Sequence, residues 1–165
     1  MYAVSPASRS PPSSRSRFAV YVAVSSAKYV SGSRSAAAMA ANATRTVDCT
    51  EEHTAETFAT GELPEEFDDA AYDDAALAVF AYDTCSAAYA TFLGADESLV
   101  LRTTLSWAWF RPSHAAWEKG ARWYRCDVIG GNAASTSYRS LPETAEGLLT
   151  GRPNDTWLSC ARGAS

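Results

Sequence analysis

Four cysteines constrain this chain more than any other feature. Cys49, Cys85, Cys126 and Cys160 stand 36, 41 and 34 residues apart. No two form a Cys-x-x-Cys pair, which disfavours structural zinc and thioredoxin-like chemistry. An even count, spread one to each predicted element, is what a two-disulfide framework produces. Each bridge over such a span would stabilise the fold by roughly 3–4 kcal/mol through the chain entropy it removes. The competing reading is four unrelated buried thiols. Four cysteines allow three connectivities.

Charge divides the chain. Arg9, Arg15, Arg17, Lys28, Arg34 and Arg45 are the only charged side chains before Val47. All 19 acids follow. Residues 1–45 therefore read as a targeting or disordered arm, because a Ser/Pro/Arg composition buries too little apolar area to offset ordering entropy. Within it, Arg15 and Arg17, the apolar run Phe18–Val24 and the small residues Ala36–Ala40 sketch an export signal that Lys28 and Arg34 interrupt. An acid-poor, Ser/Arg-rich arm also fits a transit peptide, and Met39 is a rival start. No cysteine precedes Cys49, so no lipoprotein anchor is read here. The folded domain is placed at residues 46–165. Its acidic balance argues against nucleic acid, whose backbone is bound by Lys and Arg. Its longest apolar stretches fall short of the roughly 18 residues of a membrane span.

Residues 46–50 and His53–Ala59 read as extended, with Gly61 and Pro64 as breakers ahead of the acidic stretch Glu65–Asp69. Asp73 or Asp74 can cap a helix running to Leu93, with Gly94 at its end. Leu77, Ala81, Cys85, Ala88 and Phe92 share one face of that helix, which turns Cys85 inward. Leu99–Phe110 reads as a strand. Ser113 can cap a short turn through Trp117 to Gly120, and Arg122–Ile129 is a second strand closed by Gly130 and Gly131. Leu141–Leu149 reads as a short helix. The elements are segregated, which gives an α+β fold: a small antiparallel sheet packed on one main helix, stapled by two disulfides. The expected bridges are Cys49–Cys85, from a strand to the helix after it, and Cys126–Cys160, tying down an apolar-poor tail. The rival pairing joins Cys49 to Cys126 and Cys85 to Cys160.

Reactive chemistry has few candidates. His53 and Glu56 would share a helix face as metal ligands, but in a strand their odd separation sets them on opposite faces. A structural His53 is the favoured reading, and no metal or other cofactor is expected. The carboxylates of Glu62–Asp74 lack the alternating order of a calcium loop, so they read as solvated surface. No Gly-x-Ser-x-Gly element marks a nucleophile. Trp107, Trp109, Trp117 and Trp123 belong to the core by default, with one face available to a glycan or peptide. Arg122 and Arg125 can pair with the acidic stretch or with an anionic ligand, and the former, which needs no extra assumption, is expected. Gly130-Gly131 lacks the spacing of a phosphate loop.

Three segments together carry a resemblance. Val47-Asp-Cys-Thr-Glu-Glu-His-Thr-Ala-Glu56 holds a Cys-x-x-x-His-x-x-Glu pattern, and Tyr82–Phe92 carries one helical cysteine. Pro112, Trp117, Gly120, Arg122 and Cys126 complete a Pro…Trp-x-x-Gly-x-Arg-x-x-x-Cys pattern. This order resembles the septum-formation-related domain of actinobacterial cell-envelope proteins, over about residues 46–160. The Gly-Asp-Cys element usual in that family is absent, which lends indirect support to Cys126–Cys160. The resemblance implies a secreted or envelope-bound, extracytoplasmic, non-catalytic binding or scaffolding module for a cell-envelope protein or cell-wall component. His53, Glu56, Trp117, Arg122 and Trp123 are its candidate binding residues. The alternative is a small secreted hydrolase or metal-dependent enzyme using His53 and Glu56.

Overall fold

The computed structural model describes residues 19–22, 43–132, 135, 137–151 and 155–160. Residues 1–18 and the Ala36–Ala40 run with Met39 lie outside them. Strands β1 (Ala19–Val22), β2 (Ala43–Val47), β3 (Ala55–Glu62), β4 (Ser106–Phe110) and β5 (Trp123–Ile129) form one antiparallel sheet in the order β2-β1-β3-β5-β4. One long helix, α1 (Ala75–Leu93), covers one face. Two short helices, α2 (Glu97–Val100) and α3 (His114–Trp117), flank β4. The α+β class is as the sequence predicts.

Helix α1 begins and ends on the expected signals. The Asp74 carboxylate accepts from the Ala76 N–H at 2.8 Å, satisfying a donor that has no intrahelical partner. Gly94 closes the helix at φ 71°, a left-handed conformation that glycine adopts without a Cβ penalty. The buried stripe is Leu77, Ala81, Cys85, Tyr89 and Leu93. Toward the C-terminus it is therefore one residue on from the predicted Ala88 and Phe92, which are half-buried. Phe92 instead stacks on Phe58 of β3, ring centroids 5.6 Å apart.

The disulfide expectation is corrected. One bridge forms among the described residues, Cys85–Cys126, with Cα atoms 5.8 Å apart. Both predicted pairings, Cys49–Cys85 and Cys126–Cys160, and the rival pairing are thereby excluded. The reason is strand order. β5 is inserted between β3 and β4, so the strand that meets Cys85 beneath α1 comes late in the sequence. Cys85 faces it directly, whereas Cys49 lies before β3. The C-terminal tail needs no covalent tie. Trp157 is buried, Thr103 bridges to Leu158, and the Thr104 N–H donates to Trp157 O at 2.8 Å.

Three further expectations shift. The start of the Leu99–Phe110 strand is helical, because Asp96 caps α2 by accepting from the Leu99 N–H at 2.8 Å. Leu141–Leu149 forms turns rather than a helix. Its amides go to tertiary acceptors: Ala145 N–H to Glu56, Gly147 N–H to Phe92 O, and Leu149 N–H to Leu93 O. Gly61 lies within β3 instead of breaking it. A Cβ there would meet the Tyr124 ring at 2.7 Å, so glycine makes room for the tyrosine that packs on Phe80 of α1.

The three apolar clusters draw all their members from residues 55–157. β1 adds backbone pairing to β3 at Ala19↔Glu56 and Val20↔Ala55. Composition sets the domain boundary near residue 46, whereas β1 and most of β2 lie before it in the sheet. Limited proteolysis tests the boundary, and a resistant core starting near residue 46 would support it. A resistant fragment that retains β1 would move the boundary upstream. Peptide mapping without reduction is expected to recover the Cys85–Cys126 linkage. Replacing both cysteines by alanine is expected to cost about 4 kcal/mol, the chain-entropy value for a loop of this span, measured by chemical denaturation.

Candidate functional site

The first motif turns inward. His53 is 1% exposed and Glu56 is wholly buried. The His53 Nδ1 lies 2.8 Å from Glu51 O, and its backbone carbonyl accepts from the Leu141 N–H at 2.8 Å. Glu56 accepts from Thr144 Oγ1 at 3.0 Å and from the Ala145 N–H at 2.7 Å. Both residues thus fasten the 141–149 segment over the sheet. A buried carboxylate held by two donors satisfies the rule that an unpaired buried charge is costly. Among the described residues no cluster of three His, Cys, Asp or Glu could hold a metal ion.

The second motif also turns inward, onto the acidic segment. Arg122 donates from Nε to Phe67 O at 3.0 Å and from Nη2 to Asp68 O at 2.6 Å. Its Nη1 reaches Trp117 O and Ala121 O, both at 2.9 Å. The guanidinium carbon sits 4.0 Å over the Trp117 ring. Trp117 Nε1 donates to Ala70 O at 3.0 Å, and Arg111 Nη1 donates to Tyr72 O. Four carbonyls between Phe67 and Tyr72 are therefore held, two of them in the acidic stretch. Arg122 grips that segment as expected, but through backbone oxygens rather than carboxylates. Only a planar group with five fixed donors can serve this many acceptors at once.

Arg125 takes a different partner from the predicted one. It pairs with Asp127 at 3.0 Å and stacks its guanidinium carbon 4.4 Å from the Phe110 ring. Asp127 is fully buried and also accepts from Thr57 Oγ1 at 2.8 Å. Burial pushes its carboxyl above the usual carboxylate range, while Arg125 and Thr57 pull it back.

Trp123 alone of the five candidate binding residues is substantially exposed, at 39%. Cys126 faces α1, so Trp123 and Arg125, at odd separations, lie on the other face of the sheet. The register sets Trp123 opposite Glu62 and Arg125 opposite Thr60. These side chains line a shallow open depression of about 340 Å³ that Gly61 and Tyr124 complete. An aromatic platform flanked by a carboxylate, a guanidinium and a hydroxyl can stack on an apolar ligand face and bond its polar rim. Strand periodicity located Trp123 on a face, but its exposure depends on what packs beside it, which no local signal reports.

Arg122→Lys is expected to lower stability by roughly 2–4 kcal/mol, since a lysine loses most of the charge-assisted bonds. Glu56→Ala is expected to cost roughly 2 kcal/mol or more and to open residues 141–149 to hydrogen exchange. His53→Ala is expected to lower the melting temperature rather than to remove an activity. For Asp127 the folded pKa lies above the unfolded value, so its contribution to stability falls as pH rises from 3.8. Asp127→Asn is expected to gain on the wild type over that rise, read from melting temperature against pH. The opposite slope would contradict the buried assignment.

No curated protein and no solved structure matches this chain. A family model described as septum formation matches residues 28–111. That span contains Cys49, His53, Glu56 and Cys85 and stops just before Pro112, so the Pro112–Cys126 pattern lies beyond it. With half of its length matched, the chain belongs to the septum-formation family.

Proposed function

We propose that this chain is a non-catalytic, extracytoplasmic binding module of the septal cell envelope, with the sheet face around Trp123 as its contact surface. The family match supports the septal setting. The Cys85–Cys126 bridge supports an oxidising compartment, where disulfides form and persist. The observation that carries the binding surface is the exposure of Trp123 beside Glu62, Thr60 and Arg125. Tryptophan is prominent among residues that dominate interface energetics. The other four candidates are engaged in holding the 141–149 and 65–73 segments. Burial of His53 and capture of both Glu56 oxygens support the non-catalytic side of the reading.

The partner is a cell-envelope protein or a cell-wall component. Co-sedimentation with purified cell-wall sacculi, and retention of solubilised envelope proteins on immobilised protein, test the two classes. Trp123→Ala is expected to weaken whichever interaction occurs by at least tenfold without moving the melting temperature. Equal retention by the variant would contradict this surface. A hydrolytic activity that disappears in His53→Ala at unchanged stability would favour the enzyme reading instead.

A further inference from the structure

Among the described residues, strand β4 is an edge of the sheet and its ladder runs to β5 alone. Its sequence, Ser-Trp-Ala-Trp-Phe, contains no charge and no proline. Edge strands are ordinarily protected by lysines, prolines, bulges or a covering segment, because their outward N–H and C=O groups template another strand. Here Arg111 and Pro112 follow the strand rather than interrupt it, and the register with β5 runs without a bulge. About 17 Å of edge is presented, at the usual rise of a strand.

A second feature lies beside this edge. α1 carries one charged side chain, Asp83, along its length. Contrary to the expectation that no apolar stretch reaches the length of a membrane span, it is long and apolar enough to cross one by length and composition, with mean hydropathy 1.2, yet only 28% of it is buried. A helix that is apolar all round is ordinarily buried all round. Val79 and Tyr82, a helical turn apart, are 61% and 60% exposed. Tyr82 packs on Trp107 of β4, ring centroids 6.2 Å apart, so this exposed flank borders the open edge.

We infer that β4 pairs antiparallel with β4 of a second copy about a two-fold axis normal to the sheet. Such an axis keeps both α1 helices on the same face. It turns Tyr82 and Val79 of one copy toward those of the other, so one contact satisfies the edge and covers both flanks. A lone added peptide would pair with the edge and leave that flank of α1 exposed. Centred on Ala108, the pairing sets Ser106 opposite Phe110, and with β4 uncharged no like charges face each other across the strands. The Trp123 surface is on the opposite face, so it stays open in the dimer.

Sedimentation of the full chain over a hundredfold concentration range, with hydrogen exchange at residues 106–110, tests this. The wild type is expected to dimerise, with those amides protected as the dimer fills. Tyr82→Glu and Val79→Glu, both at exposed positions, are each expected to weaken dimerisation by at least tenfold and to release the edge amides. Recovery of Cys85–Cys126 in both variants shows that the fold is intact. A wild type that stays monomeric throughout would overturn the inference. So would a dimer whose β4 amides exchange freely, or one that the glutamate variants leave unchanged.

Discussion

The guanidinium of Arg122 is the point on which the layout of this domain turns. It joins the acidic segment, through Phe67 O and Asp68 O, to a part of the chain that comes much later in sequence: α3 through Trp117 O, and β5, which begins one residue after it. The same residue's carbonyl accepts from the Leu63 N–H at 2.6 Å, where β3 leaves the sheet. Without these bonds the carbonyls of Phe67 and Asp68 would lose a charged donor. Bonds from a charged donor to neutral carbonyls are stronger than neutral pairs and do not require the carboxylates to leave water. The acids stay solvated while their backbone is fixed.

A few residues further along β5, the Cys85–Cys126 bridge ties α1 to the middle of the sheet. The bridge and the Arg122 contacts act at neighbouring places on one strand, so the helix, the acidic segment and β5 behave as one unit. On the far side of α1, Glu56 supplies the matching fixture for residues 141–149. The two patterns that mark the family resemblance are thus two means of fastening irregular segments to a small sheet. A domain with so much non-repetitive chain needs such fixtures, because a short sheet and one helix bury little apolar area. Among the surfaces that the described residues leave open are the Trp123 face and the β4 edge beside Tyr82.

Local signals in the sequence were sufficient where the physics is local. The Asp74 and Gly94 caps, the Ser113 cap and the inward turn of Cys85 all depend on residues within one or two turns. β5 was legible from its composition, and so was the second half of the predicted 99–110 strand. What is not legible depends on long-range competition. Leu141–Leu149 has helix-compatible residues, but Glu56 and the end of α1 offer its amides other acceptors. The disulfide partners are not legible in the sequence, because nearness along the chain is not nearness in space where the strand order is β3-β5-β4. Of the candidate site, the importance of His53, Glu56, Trp117 and Arg122 was readable from their pattern. A structural His53 and a core Trp117 were legible as the favoured readings, whereas the inward turn of Glu56 was not, since the pattern is the same whether a residue holds a loop or a ligand.

The central claim is that Arg122 acts on backbone oxygens, not on the surrounding carboxylates. A double-mutant cycle tests it most directly, with Arg122→Lys on one side and the combined neutralisation Glu65→Gln, Glu66→Gln, Asp68→Asn and Asp69→Asn on the other. Unfolding free energies in denaturant give the coupling. The account predicts a coupling near zero, with neutralisation alone leaving stability unchanged or raised. A coupling above about 1 kcal/mol, the upper range of an exposed ion pair, would show that the carboxylates carry the interaction and would contradict it.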